Sequence, residues 1–247
     1  MPQLPPAARP GRDEKEQAMK TLLLLGGMTP DATMLYYKTI NDVARGHGGG
    51  RTSAPLHIFS ADLEVMMRHV GAARWSDLAQ AYSDPVAALT RPPGRVDAVV
   101  ICAVLAHKAA GRLSRALEGS GVPLLHVADM LARHIKARHP HVRTLGLLGP
   151  RVTMADAHDA DFFIGRLQST SHGFRVVVPG TPADVDLVDR GIMDEVVRGS
   201  AAVTEAIVLA STDLGFVLKQ RHVGDGVPLI DPATVHARAV AEWALQA

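Results

Sequence analysis

The sequence predicts an α/β protein of two similar lobes, each a parallel sheet flanked by helices, related by a pseudo-twofold axis with a cleft between them. Three internal echoes carry this prediction. Asp97 to Lys108, DAVVICAVLAHK, is answered by Glu205 to Leu214, EAIVLASTDL. Gly121 to Asp129, GVPLLHVAD, is answered by Gly226 to Thr234, GVPLIDPAT, and Thr21 to Thr29, TLLLLGGMT, by Thr144 to Thr153, TLGLLGPRVT. Echoes in the same order mark two copies of one unit. Superposing them sets Ala103 opposite Ser211 and Val104 opposite Thr212. Strands alternating with helical patterns give parallel sheets covered on both faces, and such sheets bind ligands beyond the carboxyl ends of their strands.

Residues 1–19 are proline-rich, then charged, with no apolar centre, so they read as a disordered extension rather than a signal peptide. The first lobe is assigned to residues 20–119, with a C-terminal helix, 234–247, packing back on it. The second lobe is residues 120–233. After the first strand, Pro30 and Asp31 open a helix whose apolar positions Met34, Leu35, Ile40 and Val43 recur at helical spacing, until Gly46 to Gly50 break it. Pro55 to Phe59 is the second strand. Leu63 to Thr90 reads as helical, and the turn at Arg91 to Gly94 delivers the central strand. A helix at His107 to Leu117, a strand at Val122 to His126 and a helix at Met130 to Arg138 follow.

In the second lobe the strands are Val142 to Leu148, Arg175 to Val178, Ala206 to Ala210 and Val227 to Ile230. Its helices cover Thr153 to Gln168, Ala183 to Arg198 and Val235 to the end. The offset between the copies falls from about 123 residues at the first landmark to about 108 at the central strand and about 105 at the last. One helix is therefore missing from the second lobe, most simply at Gly199 to Thr204.

With 26 basic against 25 acidic side chains and no basic run, the chain lacks the electrostatic footprint of a nucleic-acid or anionic-membrane binder. Its apolar runs are strand-sized, too short to span a bilayer. The single cysteine, Cys102, fits a reducing, cytoplasmic setting. His134, His139 and His141 have the irregular spacing of a solvated connection rather than of metal ligands. No P-loop or dinucleotide fingerprint occurs.

Candidate site residues lie at the strand ends. Gly26 to Thr29 form a strand-to-helix turn whose backbone donors, beside Met28 and Thr29, suit a carboxylate. Arg151 and Thr153 occupy the matching loop of the second half. Strand alternation turns Cys102 away from the side that Ala103 faces, so it reads as a small buried hydrophobe. His107, at the start of a helix, and His126, at the end of a strand, are titratable candidates. Ser211, Thr212 and Asp213 form a polar cluster at the end of the second central strand.

These residues resemble the cofactor-independent aspartate/glutamate racemases. The resemblance rests on LGGMTPDAT at Leu25 to Thr33 with LYYKTIN behind it, VVIC before AHK at Val99 to Lys108, and PLLH at Pro123 to His126. GLLG at Gly146 to Gly149, STDLG at Ser211 to Gly215 with Lys219 and Gln220 behind it, and PLIDP at Pro228 to Pro232 complete it. The resemblance implies a two-lobed homodimer that uses no cofactor and binds a small amino acid or carboxylate between its lobes. It also implies two proton-transferring side chains, one per lobe: Cys or Thr in a Cys/Thr-Asn-Thr motif, and Cys in a Cys-Thr-Glu motif.

This chain departs at both places. Ala103-Val104-Leu105 replaces the first motif with apolar groups, and Ser211-Thr212-Asp213 keeps the polarity of the second without its thiol. Alanine moves no proton, and serine is a poor base unless a neighbour activates it. Three functions follow as expectations. One is an isomerase-family enzyme in which Ser211 or His107 stands in for the thiols, as a lyase or epimerase would require. Another is an inactive relative that binds a ligand or a protein. The third is an enzyme for a more apolar carboxylate, held against Ala103, Val104 and Leu105. Met28, Thr29, Thr153, Thr212 and Asp213 are the expected binding residues in each.

Overall fold

Four consecutive leucines begin the first sheet because a strand covered on both faces needs no polar side. β1 (Leu22–Gly26) is buried throughout. It pairs in parallel with β2 (Leu56–Ser60) and β3 (Ala98–Ile101), and β3 pairs with β4 (Leu124–Leu125). The second sheet holds β5 (Thr144–Leu148), β6 (Arg175–Val177), β7 (Ala206–Leu209) and β8 (Leu229–Ile230). The strand orders are β2-β1-β3-β4 and β6-β5-β7-β8, so both sheets repeat one topology, as the echoes require; β4 pairs with β3, so the first lobe extends past residue 119, where the sequence reading ended it. The computed structural model describes residues 19–90, 96–193, 206–210, 219–223 and 226–246.

Side chains alternate across β1 and β3. Leu22, Leu24, Ala98, Val100 and Cys102 meet Tyr36 and Ile40 of α1 (Pro30–Gly48) and Ala233, Ala237, Val240, Ala241 and Ala244 of α10 (Pro232–Leu245). The alanines let α10 lie close on α1 and on the sheet. There the Lys20 N–H donates to the Ala244 carbonyl at 2.8 Å, and the Lys20 ammonium stands 5.1 Å from the Trp243 ring centre. On the other face, Leu23, Leu25, Val99 and Ile101 join Leu145, Leu147, Phe162, Phe163 and Val208 in one continuous apolar cluster. That cluster draws on both sheets. Among the described residues, no helix is long and apolar enough to cross a membrane.

Several elements differ from their sequence readings. In α1, Met34 is 58 % exposed, and the buried stripe is Ala32, Thr33, Tyr36, Ile40, Asn41 and Ala44. Asn41 is spent on backbone, donating to the Tyr37 carbonyl and accepting from the Ala54 N–H. The long helical stretch divides into α2 (Leu63–Gly71) and α3 (Trp75–Thr90), with Ala73 at φ 51° in the turn between them. One turn of 3-10 helix, Leu105–Ala109, precedes α4 (Ala110–Ala116). α5 (Val127–Arg138) begins earlier than its apolar periodicity suggests because the His126 ring caps it, Nδ1 accepting from the Ala128 N–H at 3.1 Å. β4 is correspondingly short.

The largest correction is at Thr153 to Gln168. Two single turns, α6 (Arg151–Met154) and α7 (Ile164–Leu167), stand where one helix was expected. Between them Asp159 folds the chain on itself, its Oδ1 accepting from the Asp161 N–H and its carbonyl from the Phe162 N–H. Aspartate competes with helix in this local way. α8 (Pro182–Met193) follows β6, and a single turn, α9 (Gln220–Val223), precedes β8. The Arg91 to Gly94 turn and Gly199 to Thr204 lie outside the described residues.

Candidate functional site

The first-lobe wall is built at the carboxyl ends of β1 and β3. Gly27 has φ +111°, and a Cβ there would lie 2.5 Å from the Ala61 backbone nitrogen, so the turn requires glycine. The Gly26 carbonyl accepts from the Tyr82 hydroxyl and from the Ala61 N–H, which fixes the turn against α3 and the end of β2. Thr29 caps α1, its Oγ1 accepting from the Ala32 N–H at 3.1 Å, and Met28 beside it is buried. Ala103, Val104 and Leu105 are buried in the cluster that both lobes share. Cys102 faces the opposite core, where burial pushes its thiol pKa well up and keeps it protonated.

His107 is fully buried behind this wall. Its Nδ1–H donates to the Ala103 carbonyl at 2.8 Å, and its Nε2 accepts from the Val127 N–H at 3.2 Å. Both ring nitrogens are thereby occupied in one neutral tautomer. Burial pushes its pKa down to about 4, against the Ala103 bond that favours the proton. The expected base therefore has no free lone pair with which to take a substrate proton. It fixes the end of β3 to the start of α5 instead.

Two more histidines share this environment. His126, whose Nδ1 caps α5, donates from Nε2 to the Asp161 carbonyl at 3.2 Å, and its ring centre is 4.6 Å from that of His107. His236 donates from Nε2 to the Leu125 carbonyl and accepts at Nδ1 from the Tyr36 hydroxyl, both at 2.8 Å. Burial lowers all three, His236 to about 3, and the neighbouring His107 adds to the lowering in both partners.

The second-lobe wall begins at Gly149, where a Cβ would stand 2.9 Å from that of Ala210, so glycine lets the β5 turn pass close to the end of β7. The Arg151 N–H donates to Asp189 at 2.7 Å, and its guanidinium pairs with Asp186 and Asp189 on α8. Thr153 is fully buried, and among the described residues its hydroxyl has no hydrogen-bond partner. Ser211, Thr212 and Asp213 lie outside the described residues. Met28 thus shares a buried cluster with Ala103, Val104 and Leu105, Thr29 is spent on capping α1, and Thr153 lies in the turn after β5.

Sequence reasoning missed how the two walls are joined. Lys108, three residues past Leu105, pairs with Asp156 and, at 3.0 Å, with Asp159 of the segment after Thr153. Asp129 of α5 takes both nitrogen arms of Arg166 at 2.8 Å and Nε2 of His172 at 2.7 Å. Burial alone would raise the Asp129 carboxyl, yet these donors hold it well below the usual range. The available signal was the aspartate at every second or third position from Asp156 to Asp161, unusual on a face expected to be covered.

A family model described as Asp/Glu/hydantoin racemase matches residues 25–240. The chain belongs to this racemase family. Among solved structures, a candidate Asp/Glu racemase from Yersinia pestis is similar at 29 % identity and a TM-score of 0.77, covering 92 % of this chain and 100 % of that one. An aspartate racemase homologue from Pyrococcus horikoshii OT3 is similar at 25 % identity and a TM-score of 0.68, covering 92 % and 99 %. Picrophilus torridus aspartate racemase, at 17 % identity and a TM-score of 0.63 over 91 % and 94 %, shares the fold. In this racemase-family chain, two parallel four-stranded sheets flanked by helices are present.

Proposed function

We propose that this racemase-family protein binds a small amino acid or carboxylate in its interlobe cleft and does not racemise it by a two-thiol mechanism. The observation that carries the reading is the first-lobe wall. Ala103, Val104 and Leu105 are apolar, Cys102 faces the other core, and His107 has both nitrogens engaged. Two-base racemisation needs a proton-transferring group on each face of the α-carbon, a base on one and an acid on the other, and none of these five residues can serve as one. The glycine turn at Met28 and Thr29 and the unpartnered Thr153 hydroxyl support retention of a polar ligand.

The second reading keeps one proton transfer, from Ser211 alone, as in a lyase or epimerase reaction. It is favoured by the polarity of Ser211-Thr212-Asp213 at the second strand end. Proton NMR in heavy water, with aspartate, glutamate and a panel of other α-amino acids, separates the readings. The native protein is expected to bind a member of the panel by calorimetry and leave its α-proton signal intact. Restoring thiols with Ala103→Cys and Ser211→Cys together is expected to start α-proton exchange. Rapid exchange of aspartate or glutamate by the native protein would overturn the proposal, and exchange abolished by Ser211→Ala alone would establish the second reading.

A further inference from the structure

The segment between α6 and α7 leaves its own lobe and is fastened to the other. Its counterpart in the first half is α1, an unbroken helix of 19 residues on its own sheet. In the second half the same stretch is reduced to two single turns, and residues 155–163 between them reach Lys108 of the 3-10 turn, Gly111 of α4 and the His126 ring that caps α5.

Three attachments hold it there. Lys108, whose side chain is 9 % exposed, pairs with Asp156 and Asp159, while its ammonium lies 4.6 Å from the Phe162 ring centre and 5.6 Å from that of Trp75. The Asp161 carbonyl accepts from His126 Nε2. Gly111 lets the Asp161 side chain come against α4, where a Cβ would be 2.5 Å from its Oδ2, and Gly165 lets the chain fold back over the Asp159 carbonyl. A buried ammonium is tolerated only with charge partners, and two carboxylates with two aromatic faces supply them.

We propose that residues 155–163 are a strap that closes the interlobe cleft, with Lys108 as its catch. The strap begins two residues after Thr153 on the second-lobe wall, and its catch lies three residues after Leu105 on the first-lobe wall. Phe162 and Phe163 are buried in the same apolar cluster as Met28, Ala103, Val104 and Leu105, and the Phe162 ring lies against the Lys108 ammonium just past that wall, which sets the strap where it can cover it. Releasing it bares that wall. Because two carboxylates share one ammonium, losing Lys108 leaves both in a partly covered site, and like charge drives the strap outward.

The test uses the full chain with Cys102→Ser and Ala103→Cys, which puts the only thiol at the cleft wall. Its reaction with a disulfide reagent is timed with and without Lys108→Met, while hydrogen exchange follows the amides of β1 and β3. The expected result is labelling faster by about tenfold or more with β1 and β3 still protected, which marks local rather than global opening. Lys108→Arg, which keeps the charge and the ring contacts, should stay near the parent rate. Unchanged labelling in the Met variant would overturn the proposal, and so would faster labelling matched by equal loss of β1 and β3 protection. If Lys108→Met does not fold, Asp156→Asn with Asp159→Asn reads the same catch from the other side, with the same outcomes.

Discussion

Thr153 shows how far a single side chain can be out of balance with its surroundings. A hydroxyl buried without a partner costs about 1–3 kcal/mol, and this one sits in the turn that follows β5. Thr153→Val, which keeps the shape and removes the polar atom, should therefore stabilise the ligand-free protein by about 1 kcal/mol in urea unfolding. The same change should weaken amino-acid binding in calorimetry, because stability is often given up where a ligand completes a site. His107 makes the opposite case. Sequence placed a titratable group at a helix start, which was right in position, but only three dimensions reveal that Ala103 and Val127 already occupy both its nitrogens. A residue type states what chemistry is available, whereas its hydrogen bonds state what is left over.

At the scale of elements, the histidine cluster joins the end of β3, the start of α5 and the first turns of α10, and it makes that junction sensitive to acid. His107, His126 and His236 all have folded pKa values depressed by burial, to about 4 for His107 and about 3 for His236. In the unfolded chain histidine titrates at about 6.5. Below that pH the unfolded state binds more protons, so the stability the cluster contributes is complete above about pH 6.5 and is lost as the pH falls toward the folded values. Tyr36, Cys102 and the Asp129–Arg166 pair stay in one charge state across this window. Asp231, which burial raises, takes up a proton earlier in the folded state and offsets part of the loss. Each histidine contributes up to about 1.4 kcal/mol per pH unit. Urea midpoints measured from pH 7 to pH 4.5 should thus fall steeply, and His236→Gln should flatten the slope by about one proton; an unchanged slope would refute the linkage.

The strands and their order were legible because the chain writes them twice, so each copy checks the other. The break at residues 155–163 was not. Thr153, Ile164 and Leu167 are all buried and satisfy a helical spacing, yet Lys108 on another lobe draws the intervening aspartates out of it. Local periodicity cannot register a partner some fifty residues away in sequence; in α1 it set Leu35, Ile40 and Val43 against the core and misjudged Met34. The polar Asn41 and Thr33 of that helix are turned inward by backbone partners, while the apolar Met34 faces out.

For the whole molecule, the continuous cluster running from Leu23 to Phe163 and Val208 means the two sheets do not own separate cores. Unfolding should accordingly be one transition, with far-ultraviolet circular dichroism and tryptophan fluorescence giving coincident urea curves. Two separated midpoints would show that the lobes melt independently.

The clasp of α10 on α1 bears on how the chain is made. One face of the first sheet, lined by Leu22, Leu24 and Val100, is sealed by the alanines of residues 232–245, the final helix described. A ribosome releases β1 long before that helix, so the lobe synthesised first is completed last. Until then it carries an open apolar face, and the usual order in which an N-terminal unit finishes folding as it emerges does not hold.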